Sequence, residues 1–195
     1  MKACSGSPGA STRAANTAGR RSGGLLRQAR GVRPSIREVV NRYCRGIDRR
    51  QFDLVRSCYH PDATDDHGGF KGGVEAFVAN CTKSLTRYER TMHFMGNLHI
   101  EVDGDKATSE AYTIAFHRLS AVKNEKGERP ARDHIVGFRY VDNFERRLGE
   151  WKIARRVCVF EWTRTDPVPP GWDFTPEFMR GQTNASDWIF HLKDK

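Results

Sequence analysis

From residue 35 onward the chain changes hydrophobic rhythm once. Val39, Val40, Tyr43, Cys44 and Ile47 recur at three- and four-residue steps, the spacing of one apolar helix face. This predicts a helix over about 35–48, with Ser35 as cap and Glu38 at the capping-box distance. A second helix is predicted over about 50–58, with Phe52 and Val55 inward, and His60-Pro61 breaks it. Residues 62–71 read as a short strand and a glycine-rich turn. A third helix fits about 73–86, with Val74, Phe77, Val78, Cys81 and Leu85 on its inner side. The period then drops to two. Segments of about 89–102, 106–121, 133–146 and 150–163 alternate and read as strands. Asp103-Gly104-Asp105 and Leu148-Gly149-Glu150 are short hairpin links, and Lys123–Pro130 is a longer polar loop. Three helices followed by an antiparallel meander is an α+β order. A strongly curved sheet wrapped around the helices gives a cone-shaped α+β barrel with one blind pocket.

The flanks lack this patterning. Residues 1–32 are rich in Gly, Ser, Ala and Arg and are expected to form a disordered basic tail. Their arginine-rich, acid-free composition resembles an organelle transit peptide. A solvated tail or an upstream translation start is the favoured reading. The ordered domain is expected over 33–165. Residues 166–195 form an extension with Pro167, Pro169 and Pro170 at its start and a weakly amphipathic stretch around Phe178–Leu192. It is expected to act as a lid or a subunit contact.

Composition then removes several function classes. The net charge is +9, but Lys2, Arg13, Arg20, Arg21, Arg27, Arg30 and Arg33 supply most of it, and the rest of the chain is nearly balanced. No basic face, and so no nucleic-acid partner, is implied. No apolar run approaches the roughly 20 residues of a membrane helix, so no membrane partner is expected. Of five cysteines, none forms a CxxC pair. Cys44, Cys81 and Cys158 fall in apolar patterns, where cysteine packs as a small hydrophobe. Neither a disulfide framework nor a zinc site is expected, and a cytoplasmic location fits.

The candidate chemistry begins at Asp48, which lies at the border of the buried helix face. It either bonds to nearby backbone or Arg49-Arg50, or finds a partner inside. On the strand Thr91–Leu98, the residues Thr91, His93, Met95 and Asn97 share one face, and Gly96 suggests a bulge. A lone inward histidine is most often a satisfied core residue. Paired with a buried aspartate, it becomes a general acid/base. On the last long strand, alternation turns either Arg155 or Arg156 inward, where a guanidinium balances Asp48 or polarises a substrate oxygen. Tyr112, Ile114 and Phe116 form the apolar face of their strand and are expected to line the pocket, with His117 turned outward. His60, Asp65, Asp66 and His67 are expected to form a solvated turn rather than a metal site. His134 and Asp142 receive no role.

Three pieces, Tyr43-x4-Asp48-Arg49-Arg50, Thr91-Met92-His93-x3-Asn97 and Phe144-Glu145-Arg146-x3-Glu150-Trp151-Lys152-Ile153-x2-Arg156, resemble the SnoaL-like branch of the nuclear-transport-factor-2-like superfamily. That branch includes scytalone dehydratase, bile-acid 7α-dehydratase and hexachlorocyclohexane dehydrochlorinase. The resemblance covers about 33–165. It implies that Asp48 and His93 form a catalytic dyad, that Tyr43 sits beside the leaving group, and that Arg156 rather than Arg155 turns inward near the dyad. A second polar group on the 106–121 strand, found in relatives, has no clear equivalent. Met95, Asn97, Tyr112, Ile114 and Phe116 are taken as substrate-binding residues, and no metal is expected. The implied activity is a cofactor-independent elimination on a hydrophobic cyclic or aromatic molecule, with loss of formaldehyde from an aromatic substrate as a related reaction. The alternatives are a ketosteroid-isomerase-like isomerase, or a non-catalytic subunit such as a ring-hydroxylating dioxygenase β-subunit or a ligand-binding module. The assembly implied is a homotrimer.

Overall fold

The computed structural model describes residues 15–124, 127–169, 171 and 174–193. Three helices, α1 (Ala15–Asp48), α2 (Phe52–Ser57) and α3 (Val74–Ser84), pack against a curved sheet that does not close on itself. The sheet holds β1 (Tyr59–Asp66), β2 (Lys71–Gly73), β3 (Tyr88–Asp103), β4 (Lys106–Leu119), β7 (Arg132–Arg147) and β8 (Glu150–Pro167). Their order is β2-β1-β8-β7-β4-β3. Among the described residues, only the β1–β8 pair is parallel, and the other neighbours are antiparallel. The strands β5 (Val122–Asn124) and β6 (Gly127–Arg129) pair separately within the predicted polar loop.

Helix α1 differs from expectation at its start. It runs from Ala15, so part of the expected tail is helical, and residues 1–14 lie outside the described residues. Ser35 is not a cap. Its hydroxyl donates to the Gly31 carbonyl at 3.0 Å from within the helix, and Pro34 is accommodated in the same stretch. The reading failed because a Ser-x-x-Glu spacing after a proline matches a helix start without requiring one.

The other end of α1 positions the chemistry. Ile36, Val39, Val40, Tyr43, Cys44 and Ile47 are buried against the sheet. The helix closes with the Arg50 N–H on the Ile47 carbonyl at 3.2 Å and the Gln51 N–H on the Gly46 carbonyl at 2.8 Å, the paired bonds of a Schellman motif. Arg50 takes the left-handed position, with φ 52°, where glycine is usual. Its guanidinium donates to the carbonyls of Leu85 and Tyr88 at 3.2 and 2.7 Å, tying the entrance of β3 to the end of α1. Gly46 lets α2 close on α1, since a Cβ there would lie 2.7 Å from Val55 Cγ2.

The inner face of β4 is made of small residues: Ala107, Ser109, Ala111, Thr113 and Ala115, all buried. The large residues Tyr112 and Ile114 of β4 face outward. At the β3 bulge the register shifts between Met95 and Leu98. Inward alternation therefore passes from Thr91, His93 and Met95 to Leu98 and Ile100.

Candidate active site

The Asp48 carboxylate, at the last turn of α1, is almost fully buried. A carboxylate removed from water must find donors, and β3 supplies three. Oδ1 accepts from the Thr91 hydroxyl at 3.0 Å and pairs with His93 Nδ1 at 2.7 Å. Oδ2 accepts from the His93 backbone N–H at 2.9 Å. Burial alone raises the Asp48 carboxyl, but the His93 side chain, its charge, its backbone N–H and the Thr91 hydroxyl outweigh it and hold the group below the ordinary carboxylate value. With Nδ1 committed to Asp48, the imidazole keeps Nε2 for proton exchange.

The His93 ring lines a cavity of about 240 Å³ between α1, α3 and the sheet, whose walls include Tyr43, His67, Phe77, His117 and Tyr140. Tyr43 lines the same cavity as His93. Its hydroxyl meets His67 Nε2 at 3.4 Å, and its ring packs among Tyr59, Phe77 and Tyr140. A larger groove of about 770 Å³ lies by the β3–β4 turn. It is lined by scattered surface charges such as Asp62, Glu101, Lys106 and Arg147, so the smaller cavity, where the imidazoles converge, is the candidate site.

Several expected residues are placed elsewhere. Tyr112 and Ile114 are 49% and 46% exposed on the outer sheet face, Phe116 follows their alternation, and none of the three lines the cavity. His117, expected outward, faces in. Its ring centre is 5.7 Å from that of His93. Burial, then the charge of His93, depresses it to about 4, so it is neutral near pH 7. Asn97 lies in the β3 bulge and faces the outer surface beside Tyr112 and Trp162. Met95 lines a separate hollow of about 330 Å³ that shares His93 and Asp48.

Arg156 is the inward arginine and is fully buried, while Arg155 lines the outer groove. Its guanidinium is held by Asp142 rather than by Asp48 or His93, through Nε–Oδ1 and Nη2–Oδ2 contacts of 2.7 Å each. It lies 4.0 and 3.9 Å from the ring centres of Tyr43 and Tyr140, within cation–π range. Asp142, given no role from sequence, is thus the buried counter-charge of Arg156. Arg156 positions the Tyr43 ring.

The turn over His60–His67 is not simply solvated. Asp66 is, paired with Lys71 at 2.8 Å, and His60 bonds the Glu145 carbonyl at 2.9 Å. Asp65 is 1% exposed, accepts from the Tyr59 hydroxyl at 2.7 Å and pairs with His67 Nδ1. The signal was present in the period-two set Ala63, Asp65, His67, which shares one strand face.

The C-terminal extension returns to the same end of α1. Asp187 pairs with Arg49 at 3.3 Å and accepts from the Gln182 and Ile189 N–H groups at 2.8 and 3.2 Å. This anchors residues 181–189 next to Asp48.

A SnoaL-like domain profile matches residues 31–157. The chain belongs to the SnoaL-like family. An uncharacterised protein of Mycobacterium tuberculosis is 30% identical over 128 residues, covering 64% of this chain and 82% of that protein. A hexachlorocyclohexane dehydrochlorinase from Novosphingobium barchaimii is similar in structure, with a TM-score of 0.61 at 23% identity over 78% of this chain and 98% of that one. A protein from Novosphingobium aromaticivorans assigned as a scytalone dehydratase gives 0.59 at 20% identity, over 83% and 95%. These structural likenesses establish the nuclear-transport-factor-2-like fold of this family member. Among the described residues, no helix is long and apolar enough to cross a membrane.

Because its folded value is lowered, the Asp48 carboxylate contributes stability that is fully present above the ordinary value of about 3.9. That stability is lost as pH falls through the folded value. Asp48→Asn is expected to be about 1–3 kcal/mol less stable above pH 5, with the gap shrinking as pH drops below about 4. Urea unfolding of both proteins across this range measures it, and a pH-independent gap contradicts the assignment.

Proposed function

We propose that this SnoaL-like protein is a cofactor-independent lyase that carries out a dehydratase-type elimination on a hydrophobic cyclic or aromatic small molecule. The observation that carries this reading is the threefold anchoring of Asp48 by Thr91 and His93, which aims a base into an apolar cavity. His93 Nε2 removes a proton from a carbon next to an activating group. Asp48 fixes the ring and stabilises the imidazolium that forms. A placed base contributes about 10²–10⁴-fold, and exclusion of water by the aromatic walls strengthens the electrostatic contribution. Tyr43, packed on Arg156, forms part of the wall of the same cavity. Retro-aldol loss of formaldehyde from an aromatic substrate uses the same base. A non-catalytic binding module has no use for a buried carboxylate–imidazole pair at the cavity wall, which sets that reading second.

The reading includes a homotrimer in the cytoplasm. Cys44, Cys58, Cys81 and Cys158 are unpaired and buried, as a reducing compartment allows. The outward side chains of Met92, Phe94, Tyr112, Ile114 and Trp162 leave an apolar outer sheet face that suits contact between copies. A monomeric mass by light scattering contradicts the trimer.

The direct test is a screen of the purified protein against hydroxylated steroids, polyketide phenols and lignin-derived aromatic dimers. His93→Ala should lose at least about 100-fold in kcat on any substrate found. Equal product from the variant would remove His93 from the mechanism.

A further inference from the structure

We propose that His67, paired with buried Asp65, is the second proton-transfer group of the cavity, and that it delivers the proton to a departing oxygen. The inference rests on the lyase reading and names its leaving group. The substrate class is then a β-hydroxy carbonyl compound, which loses water rather than a halide.

Proton abstraction by His93 accounts for half of an elimination. When the leaving group is hydroxide, the breaking C–O bond also needs an acid. The other candidates in or beside the cavity fail that requirement. His134 lines the wall, but its Nδ1 engages the Thr165 hydroxyl at 2.8 Å rather than a carboxylate. His117 is neutral near pH 7, depressed to about 4 by burial and by the charge of His93. The Tyr43 hydroxyl is pushed well above its usual value by burial, against the opposing pull of Arg156, so it offers a hydrogen bond and keeps its proton. Arg156 is engaged by Asp142 and does not line the cavity.

His67 meets the requirement by geometry. Its ring lines the same cavity as His93 and stacks on Phe77, with centres 4.8 Å apart at 26°. Its backbone N–H donates to the Phe70 carbonyl at 2.8 Å, which fixes the turn that carries it. Asp65 takes Nδ1 and is itself held by the Tyr59 hydroxyl. Nε2 has a long 3.4 Å contact with the Tyr43 hydroxyl, which leaves it able to turn to a substrate oxygen. Asp142 and Arg156 neutralise each other through two contacts, while Asp65 is a second buried carboxylate beside them. A buried carboxylate needs hydrogen-bonding partners, and the Tyr59 hydroxyl and the His67 ring are those of Asp65.

The step closes in atoms and charge. His93 Nε2 takes the α-proton, the C–H pair forms the new C=C bond, and the C–O bond breaks with its pair on oxygen. The His67 Nε2 proton then completes water. His93 ends protonated and His67 neutral, and exchange with solvent resets both.

The test uses the full chain and two probes, a β-hydroxy phenylbutanone and its β-(para-nitrophenoxy) counterpart, whose leaving group needs no acid. His67→Gln should lose at least about 100-fold on the hydroxy probe and less than about fivefold on the nitrophenoxy probe. Asp65→Asn should show the same selective loss, and a thermal melt confirms that each variant is folded. His93→Ala should fail on both probes. Loss by His67→Gln that is equal on the two probes, or no loss on either, overturns the role of His67 while leaving the base intact. If the native protein eliminates neither probe, or His93→Ala is as active as the native protein, the lyase reading itself falls, and this inference with it.

Discussion

One buried carboxylate ties the helix end to the sheet and carries the proposed chemistry. Asp48 sits where α1 ends, and its oxygens are satisfied by donors from β3. Losing one such donor in a buried site leaves a desolvated group unpaired, at about 1–3 kcal/mol or more for a charge. The interaction that closes the helix onto the edge strand is therefore the same one that orients the His93 ring. Arg50 reinforces it by bonding the carbonyls of Leu85 and Tyr88, and Asp187 draws the C-terminal extension to Arg49 beside it. The start of β3 and the C-terminal extension thus converge on one helix end.

Around that point the cone solves a charge problem three times. Asp48 meets His93, Asp65 meets His67, and Asp142 meets Arg156. The rings of Tyr43, Tyr59, Phe77 and Tyr140 fill the space among the last two pairs. A buried ion pair is weak evidence for stability, because well-packed apolar residues often do as well. Two of the three contacts instead hold an imidazole at a shared cavity, and the proposed proton transfer rests on that arrangement.

The α+β order was legible in the sequence because it rests on local periodicity, whereas the pairing of Asp48 with His93 was implied by the family resemblance. The stripe from Val39 to Ile47 put Asp48 at the edge of a buried face, and alternation from Thr91 put His93 inward. What misled was the assumption that large apolar residues face the core. In β4 the inner positions are the small residues Ala111, Thr113 and Ala115, so Tyr112 and Ile114 turn outward and His117 turns in. Asn97 was misplaced by a bulge that Gly96 announced, but whose effect on the following residues depends on register. The partnership of Arg156 with Asp142 and the inward turn of Asp65 and His67 depend on how β1, β7 and β8 align, which single-strand alternation does not specify. The early start of α1 hid in a segment without apolar periodicity.

The contact between Asp48 and His93 is most directly measured by a double-mutant cycle on unfolding free energy, using Asp48→Asn, His93→Gln and the double variant at pH 7. Residues in one hydrogen-bonded pair show coupling of about 0.5–3 kcal/mol, and a value in that range is the expected result. Additivity within about 0.3 kcal/mol would mean that the carboxylate and the imidazole do not interact, and the catalytic reading built on them would fail.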